Sequence, residues 1–264
     1  MIFPELNPYS IKSKLAQSRL GGEVFYFETV DSTNNCARNA LHEGADHGSL
    51  FLADSQRMGR GRFGRSWQST PGAGIYLSVI LRPNLDREDC PKVSLIAGLA
   101  AVLAVNRIAG VHANLKWPND VLLGGKKICG ILSEFHSPTP DNCGIIVGVG
   151  VNVHHDRDCF KGDLENTATS LEIESGRSLN RNDLIVAFLE DLDSHLSLLE
   201  NGDFKRAVDL WMENCEMFGK EINISQGGST FRGKALGLDE QGNLLLELDG
   251  GKLMSFDSGE ATLK

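Results

Sequence analysis

Residues 111–135 read VHANLKWPNDVLLGGKKICGILSEF. Val111 to Trp117 is β-prone and stops at Pro118, which cannot continue a central strand. Val121 to Phe135 is again β-prone, and Gly124-Gly125 at its middle supplies the positive φ that a two-residue hairpin turn needs. One strand and a hairpin are therefore expected here, with Lys116 delivered to a strand end.

The same reading extends in both directions. Lys92 to Ile108 predicts a buried helix, and its most apolar run, Val93 to Val105, falls short of the roughly 18 residues that span a bilayer. Gly74 to Leu81 and Gly48 to Asp54 read as strands, with the loop Ser55 to Ser69 between them. From Gly22 to Val30 a strand meets Asp31-Ser32-Thr33-Asn34, which is turn and helix-cap chemistry. Ile145 to Val153 is the next strand, and apolar residues at helical spacing predict helices over Asn180–Leu199 and Phe204–Asn214. After Met217 four short β-prone runs, Glu221–Ser225, Thr230–Leu238, Asn243–Leu248 and Lys252–Phe256, are separated by glycine turns and predict a small β-barrel. Residues 1–216 and 217–264 are thus expected to form two domains.

Composition narrows the classes. The chain has 264 residues, 41% hydrophobic and 23% charged, within the range of soluble globular proteins. A net charge of −9 opposes broad attraction to a polyphosphate backbone. Six scattered cysteines form no C-x-x-C pair, which predicts neither a zinc site nor a disulfide framework. Met1 to Leu20 has no apolar core of signal-peptide length, so a cytoplasmic protein is expected, with no membrane segment.

Three segments carry chemistry. Arg57, Arg60, Arg62 and Arg65 alternate with Gly59, Gly61 and Gly64 inside nine residues of an acidic protein. Glycines let backbone approach a ligand, and guanidinium groups hold phosphate or carboxylate oxygens in pairs. The pattern is neither a P-loop nor a dinucleotide fingerprint, and alone it also suits a nucleic-acid binder or a solvated loop. Four like charges predict that the loop orders only when an anion arrives. Lys116, at a strand end, suits an anion as well, although a surface lysine beside a buried tryptophan gives the same pattern. Gly148-Val149-Gly150-Val151-Asn152 suits a strand against which a ligand base lies, or a tightly packed core strand. His154-His155 reads as a solvent-facing loop pair.

Taken in order, Asp31 to Asn34, Gln56 with the Gly-Arg loop, Lys116 to Asp120, Lys127 with Gly130-Ile131-Leu132, and Gly148 to Asn152 resemble the catalytic domain of biotin–protein ligases. The resemblance covers Val24 to the C-terminus. It implies an α+β fold, a mixed β-sheet flanked by helices as in biotin and lipoyl ligase catalytic domains and related to class II synthetase cores, plus a small C-terminal SH3-like β-barrel. It implies biotin and ATP as substrates, Mg2+ arriving with ATP, and biotinyl-5′-AMP as the intermediate. The acceptor it implies is a lysine of the biotin carboxyl carrier protein of a biotin-dependent carboxylase.

Residue by residue, the resemblance puts biotin against Ser32, Thr33, Asn34, Gln56, Arg60 and Gly61, with Arg62 and Lys116 facing the reacting carboxylate and phosphates. The ATP and adenylate side falls to Gly59, Arg62, Arg65, Lys116, Asn119, Lys127 and Asn152, and no metal ligand is assigned. The adenylate-closing segment Asn166 to Leu171 lacks the aromatic residue many members carry, and Lys264 stands where some carry arginine. About 30 residues precede Asp31, too few for a helix-turn-helix module, so no DNA binding is expected. A homodimer is an expectation by analogy. The competing readings are a lipoate ligase on the same fold and a non-catalytic biotin-binding module.

Overall fold

The computed structural model describes residues 6–139 and 142–263. Helix α1 (Pro8–Lys14), which sequence periodicity does not signal, is capped by the Asn7 side chain and leads to strand β1 (Val24–Val30). Helix α2 (Thr33–His42) follows, then β2 (Leu50–Gln56), β3 (Gly74–Leu81) and helix α3 (Lys92–Ala109), which ends at Gly110 with φ 65°. Next come β4 (Asn114–Lys116), β5 (Asp120–Leu123), β6 (Lys126–Thr139) and β7 (Asn142–Asn152). Short helices α4 (Leu164–Thr167) and α5 (Leu171–Ser175) precede the long α6 (Arg181–Glu200) and α7 (Phe204–Glu213).

Strands β1 to β7 form one sheet in the order β1-β2-β3-β7-β6-β5-β4. Its β1–β2 pair is parallel and the other pairs antiparallel, so the sheet is mixed. The hairpin turns at Gly124 and Gly125, at φ 60° and 78°, as the glycine pair requires. Strand β4 is shorter than Val111–Trp117: its pairing begins only at Asn114, opposite Leu122.

All eight residues of β3 are buried, as befits a central strand covered on both faces. Helix α3 reaches 18 residues, enough by length and apolar character to cross a bilayer, where the run Val93–Val105 alone is too short. Two thirds of it is buried inside this fold, against α6 and the sheet, which accounts for its apolarity.

Beyond α7, β8 (Glu221–Gln226), β9 (Ser229–Leu238), β10 (Leu244–Leu248), β11 (Leu253–Phe256) and β12 (Glu260–Leu263) form a five-stranded antiparallel sheet in the order β11-β10-β9-β8-β12. The last strand adds to the four expected from the sequence. Ile222, Ile224, Leu244, Leu246 and Phe256 are buried under it, and the apolar core runs without a break from there to the larger sheet. Trp117, at the end of β4, donates from Nε1 to the Gly242 carbonyl at 3.3 Å, joining the strand that carries Lys116 to the C-terminal sheet.

Candidate active site

The β1–α2 turn builds one wall. Asp31 accepts from the Ser32 amide at 2.6 Å and from Asn35 Nδ2 at 2.8 Å, and the Asn35 bond is the main reason its carboxyl lies below the usual range. Ser32, Thr33 and Asn34 are buried at the first turn of α2. Gln56, at the end of β2, accepts the Thr33 amide at 2.8 Å. The Ser78 hydroxyl lies 2.8 Å from Thr33 Oγ1 and donates to Asn34 Oδ1 at 2.6 Å. Asn34 Nδ2 and Arg60 Nη2 both donate to Glu134 Oε2, at 2.8 and 2.6 Å.

Four of the expected biotin residues, Thr33, Asn34, Gln56 and Arg60, thus belong to one hydrogen-bonded group with Ser32 beside it, and Ser78 and Glu134 join it from outside the sequence reading. Ser78 had a signal: a lone hydroxyl in the otherwise apolar strand GIYLSVIL needs a buried partner. Glu134 had none.

The Gly-Arg loop folds back as a hairpin. Gly61 donates to the Arg65 carbonyl at 2.7 Å and Trp67 to the Gly59 carbonyl at 2.8 Å, and the loop turns at Phe63, whose φ is 56°. A Cβ on Gly59 would sit 2.5 Å from the Trp67 carbonyl oxygen, so the closure requires glycine there. Arg62 is half-buried and donates to Asn119 Oδ1 at 3.0 Å and to the Gly259 carbonyl at 3.3 Å. Arg65 forms a two-pronged ion pair with Glu260 of β12, one prong at 2.8 Å. Three of the four arginines are therefore held by protein groups: Arg60 by Glu134, Arg62 by Asn119 and Gly259, Arg65 by Glu260. The Arg65 bond holds the Glu260 carboxyl below the ordinary carboxylate range, and the charges of Lys116 and Lys127 act in the same direction. This joins the two lysines and the loop in one field.

Trp67 lies across two sheet glycines. A Cβ on Gly150 would come within 2.5 Å of its ring and one on Gly130 within 2.9 Å. Its Nε1 is buried with no protein partner among the described residues. Lys127 Nζ stands 5.6 Å from the ring centre and 2.6 Å from Asp120 Oδ1. Asn119 is fixed by donating Nδ2 to the Ile131 carbonyl at 2.7 Å. The segment carrying Thr169 closes this side: its amide donates to the Lys127 carbonyl at 3.0 Å, and Asn152 Nδ2 donates to its carbonyl at 3.0 Å. Lys116, half-buried, pairs across the β4–β5 turn with Asp120. Lys264 lies outside the described residues.

His154 and His155 depart from expectation, being 4% and 3% exposed. The His154 amide donates to the Ala73 carbonyl at 2.7 Å, which draws the chain inward, and His154 Nδ1 lies 2.7 Å from Glu172 Oε2. His155 stacks on Phe160 and lies 3.3 Å from the Tyr76 hydroxyl; burial lowers its pKa to about 4, so the ring is neutral at physiological pH. Among the described residues no group of three or more His, Cys, Asp or Glu could hold a metal ion, and the cysteines are free.

A buried group of hydroxyls and amides, joined through Glu134 to a loop of arginines with two lysines in its field, suits an acid joined through a phosphate-activated intermediate; the class is a ligase. Residues 26–152 match the biotin/lipoate A/B protein ligase family, and residues 217–264 match the biotin protein ligase C-terminal domain. The chain is 30% identical to the biotin–[acetyl-CoA-carboxylase] ligase of Mycobacterium tuberculosis, over 97% of this chain and 95% of that protein. It is 34% identical to the bifunctional ligase/repressor BirA of Bacillus spizizenii, over 96% of this chain and 78% of that protein. Its fold is similar to that of the Aquifex aeolicus biotin protein ligase solved with biotin and ATP, at TM-score 0.80 and 28% identity, covering 92% of this chain and 99% of that one. The chain belongs to the biotin protein ligase family.

Proposed function

We propose that the chain condenses biotin with ATP to biotinyl-5′-AMP and pyrophosphate, and then passes biotin to one lysine of a biotin carboxyl carrier protein. The reading rests on one geometry: the Thr33–Asn34–Gln56 group, the proposed slot, is tied through Glu134 to Arg60, on the loop whose Arg65 and its partner Glu260 share a field with Lys116 and Lys127. Ser32, Thr33, Asn34 and Gln56 would hold the ureido ring, with Arg60 and Gly61 closing over it. Arg62 and Lys116 would draw the biotin carboxylate and the α-phosphate together against their mutual repulsion and stabilise charge growing at phosphorus. Gly59, Arg65, Asn119, Lys127 and Asn152 would line the nucleotide.

In the first step a carboxylate oxygen bonds to the α-phosphorus as pyrophosphate leaves; in the second the lysine amine bonds to the acyl carbon as AMP leaves. Neither step needs a protein nucleophile. Magnesium bound to the triphosphate would offset phosphate charge there.

The division into 1–216 and 217–264 follows the two sheets, with residues 217–264 covering the loop through Glu260 and Gly259. The same reading places the enzyme in the cytoplasm. A homodimer by pairing of the open β1 edge is decided by sedimentation. The deciding assay is pyrophosphate release with ATP and biotin, followed by mass analysis of a carrier domain. Turnover with lipoate in place of biotin would refute the substrate.

A further inference from the structure

We propose that Glu134 is a positioning residue for biotin, holding the Asn34 amide in one orientation in the slot and tying the Gly-Arg loop to it through Arg60. This rests on the reading of that slot as the site of the biotin ring.

An ionised carboxylate only accepts hydrogen bonds. Glu134 Oε2 takes one from Asn34 Nδ2 at 2.8 Å and one from Arg60 Nη2 at 2.6 Å. The Asn34 amide is thereby given one orientation, its nitrogen toward β6 and its Oδ1 toward Ser78, 2.6 Å away. Gly148 makes room for that orientation, since a Cβ there would lie 2.0 Å from Asn34 Oδ1. Ser78 has one hydroxyl proton. It lies within reach of both Asn34 Oδ1, at 2.6 Å, and Thr33 Oγ1, at 2.8 Å, while the Thr33 hydroxyl donates its own proton to Gln56 Oε1 at 3.2 Å. A neutral side chain at position 134 would take away the charged acceptor and leave Asn34 Nδ2 with the Leu132 carbonyl, 3.5 Å away, so the amide would be held weakly in the slot. Arg60 would lose its ion pair as well, so one residue couples the loop to the slot.

The test is Glu134→Gln, which keeps shape and removes charge. Calorimetry with biotin alone should show binding weakened roughly ten- to a hundredfold, the range for a lost charged hydrogen bond, while the KM for ATP changes less than about twofold. Glu134→Asp should recover part of the loss. Because the effect runs through Asn34 and Ser78, the loss should shrink in a Ser78→Ala background. Unchanged biotin affinity overturns the proposal. So does additivity with Ser78→Ala, or an equal weakening of biotin and ATP accompanied by a lower Tm. A wild type that binds lipoate and not biotin would overturn the functional reading itself, which the wild-type arm reports separately.

Discussion

Gly148→Ala puts the slot under a defined strain. The new Cβ would stand 2.0 Å from Asn34 Oδ1 and 2.8 Å from Asn34 Cγ, whereas such contacts are essentially never under 3.0 Å. The amide must therefore retreat by about 1 Å, which stretches its 2.6 Å bond from Ser78 and its 2.8 Å bond to Glu134 past hydrogen-bond range. A neutral hydrogen bond contributes about 0.5–1.5 kcal/mol and one to a charged group about 1.5–3 kcal/mol, so roughly 2–4.5 kcal/mol is at stake. Alanine returns about 0.5–1 kcal/mol by its lower strand entropy cost, which leaves a net loss of roughly 1–4 kcal/mol. For a chain of this size that corresponds to a fall in Tm of roughly 2–16 °C. Biotin affinity, measured by calorimetry without ATP, should fall at least about tenfold, since Asn34 leaves its place in the wall. Gly22→Ala, where a Cβ meets nothing within 4 Å, is the control and should be neutral. A Gly148→Ala protein with Tm within about 1 °C and biotin affinity within about threefold of wild type would refute the packing argument.

Lys116→Ala should slow adenylate formation roughly ten- to a hundredfold while biotin binding changes little, because its charge acts on the reacting carboxylate and phosphate; unchanged pyrophosphate release would remove it from the site. Arg62→Gly should loosen the loop from Asn119 and Gly259, so that adenylate escapes and labels bystander lysines. The readout is biotin on serum albumin per adenylate formed, and a ratio equal to wild type refutes the clamp. Glu260→Gln should raise hydrogen exchange across residues 57–69, since it removes the charged partner of Arg65. In wild type the Glu260 pKa is lowered, so the stabilisation is complete above the ordinary carboxylate range and is lost as pH falls through the lowered value. Exchange that ignores both the mutation and acid would refute the latch. His155 is held neutral, with its pKa lowered from 6.5 to about 4, so the unfolded chain gains a proton that the folded one refuses as pH falls between these values. The loss is at most about 3 kcal/mol, and His155→Gln should flatten urea-unfolding stability between pH 6.5 and 4.5. An equal slope in the mutant would show that other groups carry the acid sensitivity.

The sequence by itself determined what depends on neighbouring residues. Alternation and glycine turns marked the strands from Val24 to Asn152, Gly124-Gly125 the hairpin, and the Arg and Gly spacing over 57–65 a basic glycine loop, because backbone conformation and charge density are local properties. Strand β12 was not read, although β11 is no longer than it, and α1 lacked a long apolar period. The site's second layer was decided by tertiary structure alone. Asn34 meets Glu134 across 100 residues, Arg62 meets Gly259 across 197 and Arg65 meets Glu260 across 195, distances over which no spacing rule operates. His154 and His155 look like loop residues beside Asp156, yet the bond from the His154 amide to Ala73 draws the chain inward and burial settles their charge. Pattern in a chain reports which face of an element is apolar. Which polar group it meets beneath that face depends on the order in which strands assemble, and here β7 entering between β3 and β6 brings Gly148 against Asn34 and Gly150 against Trp67.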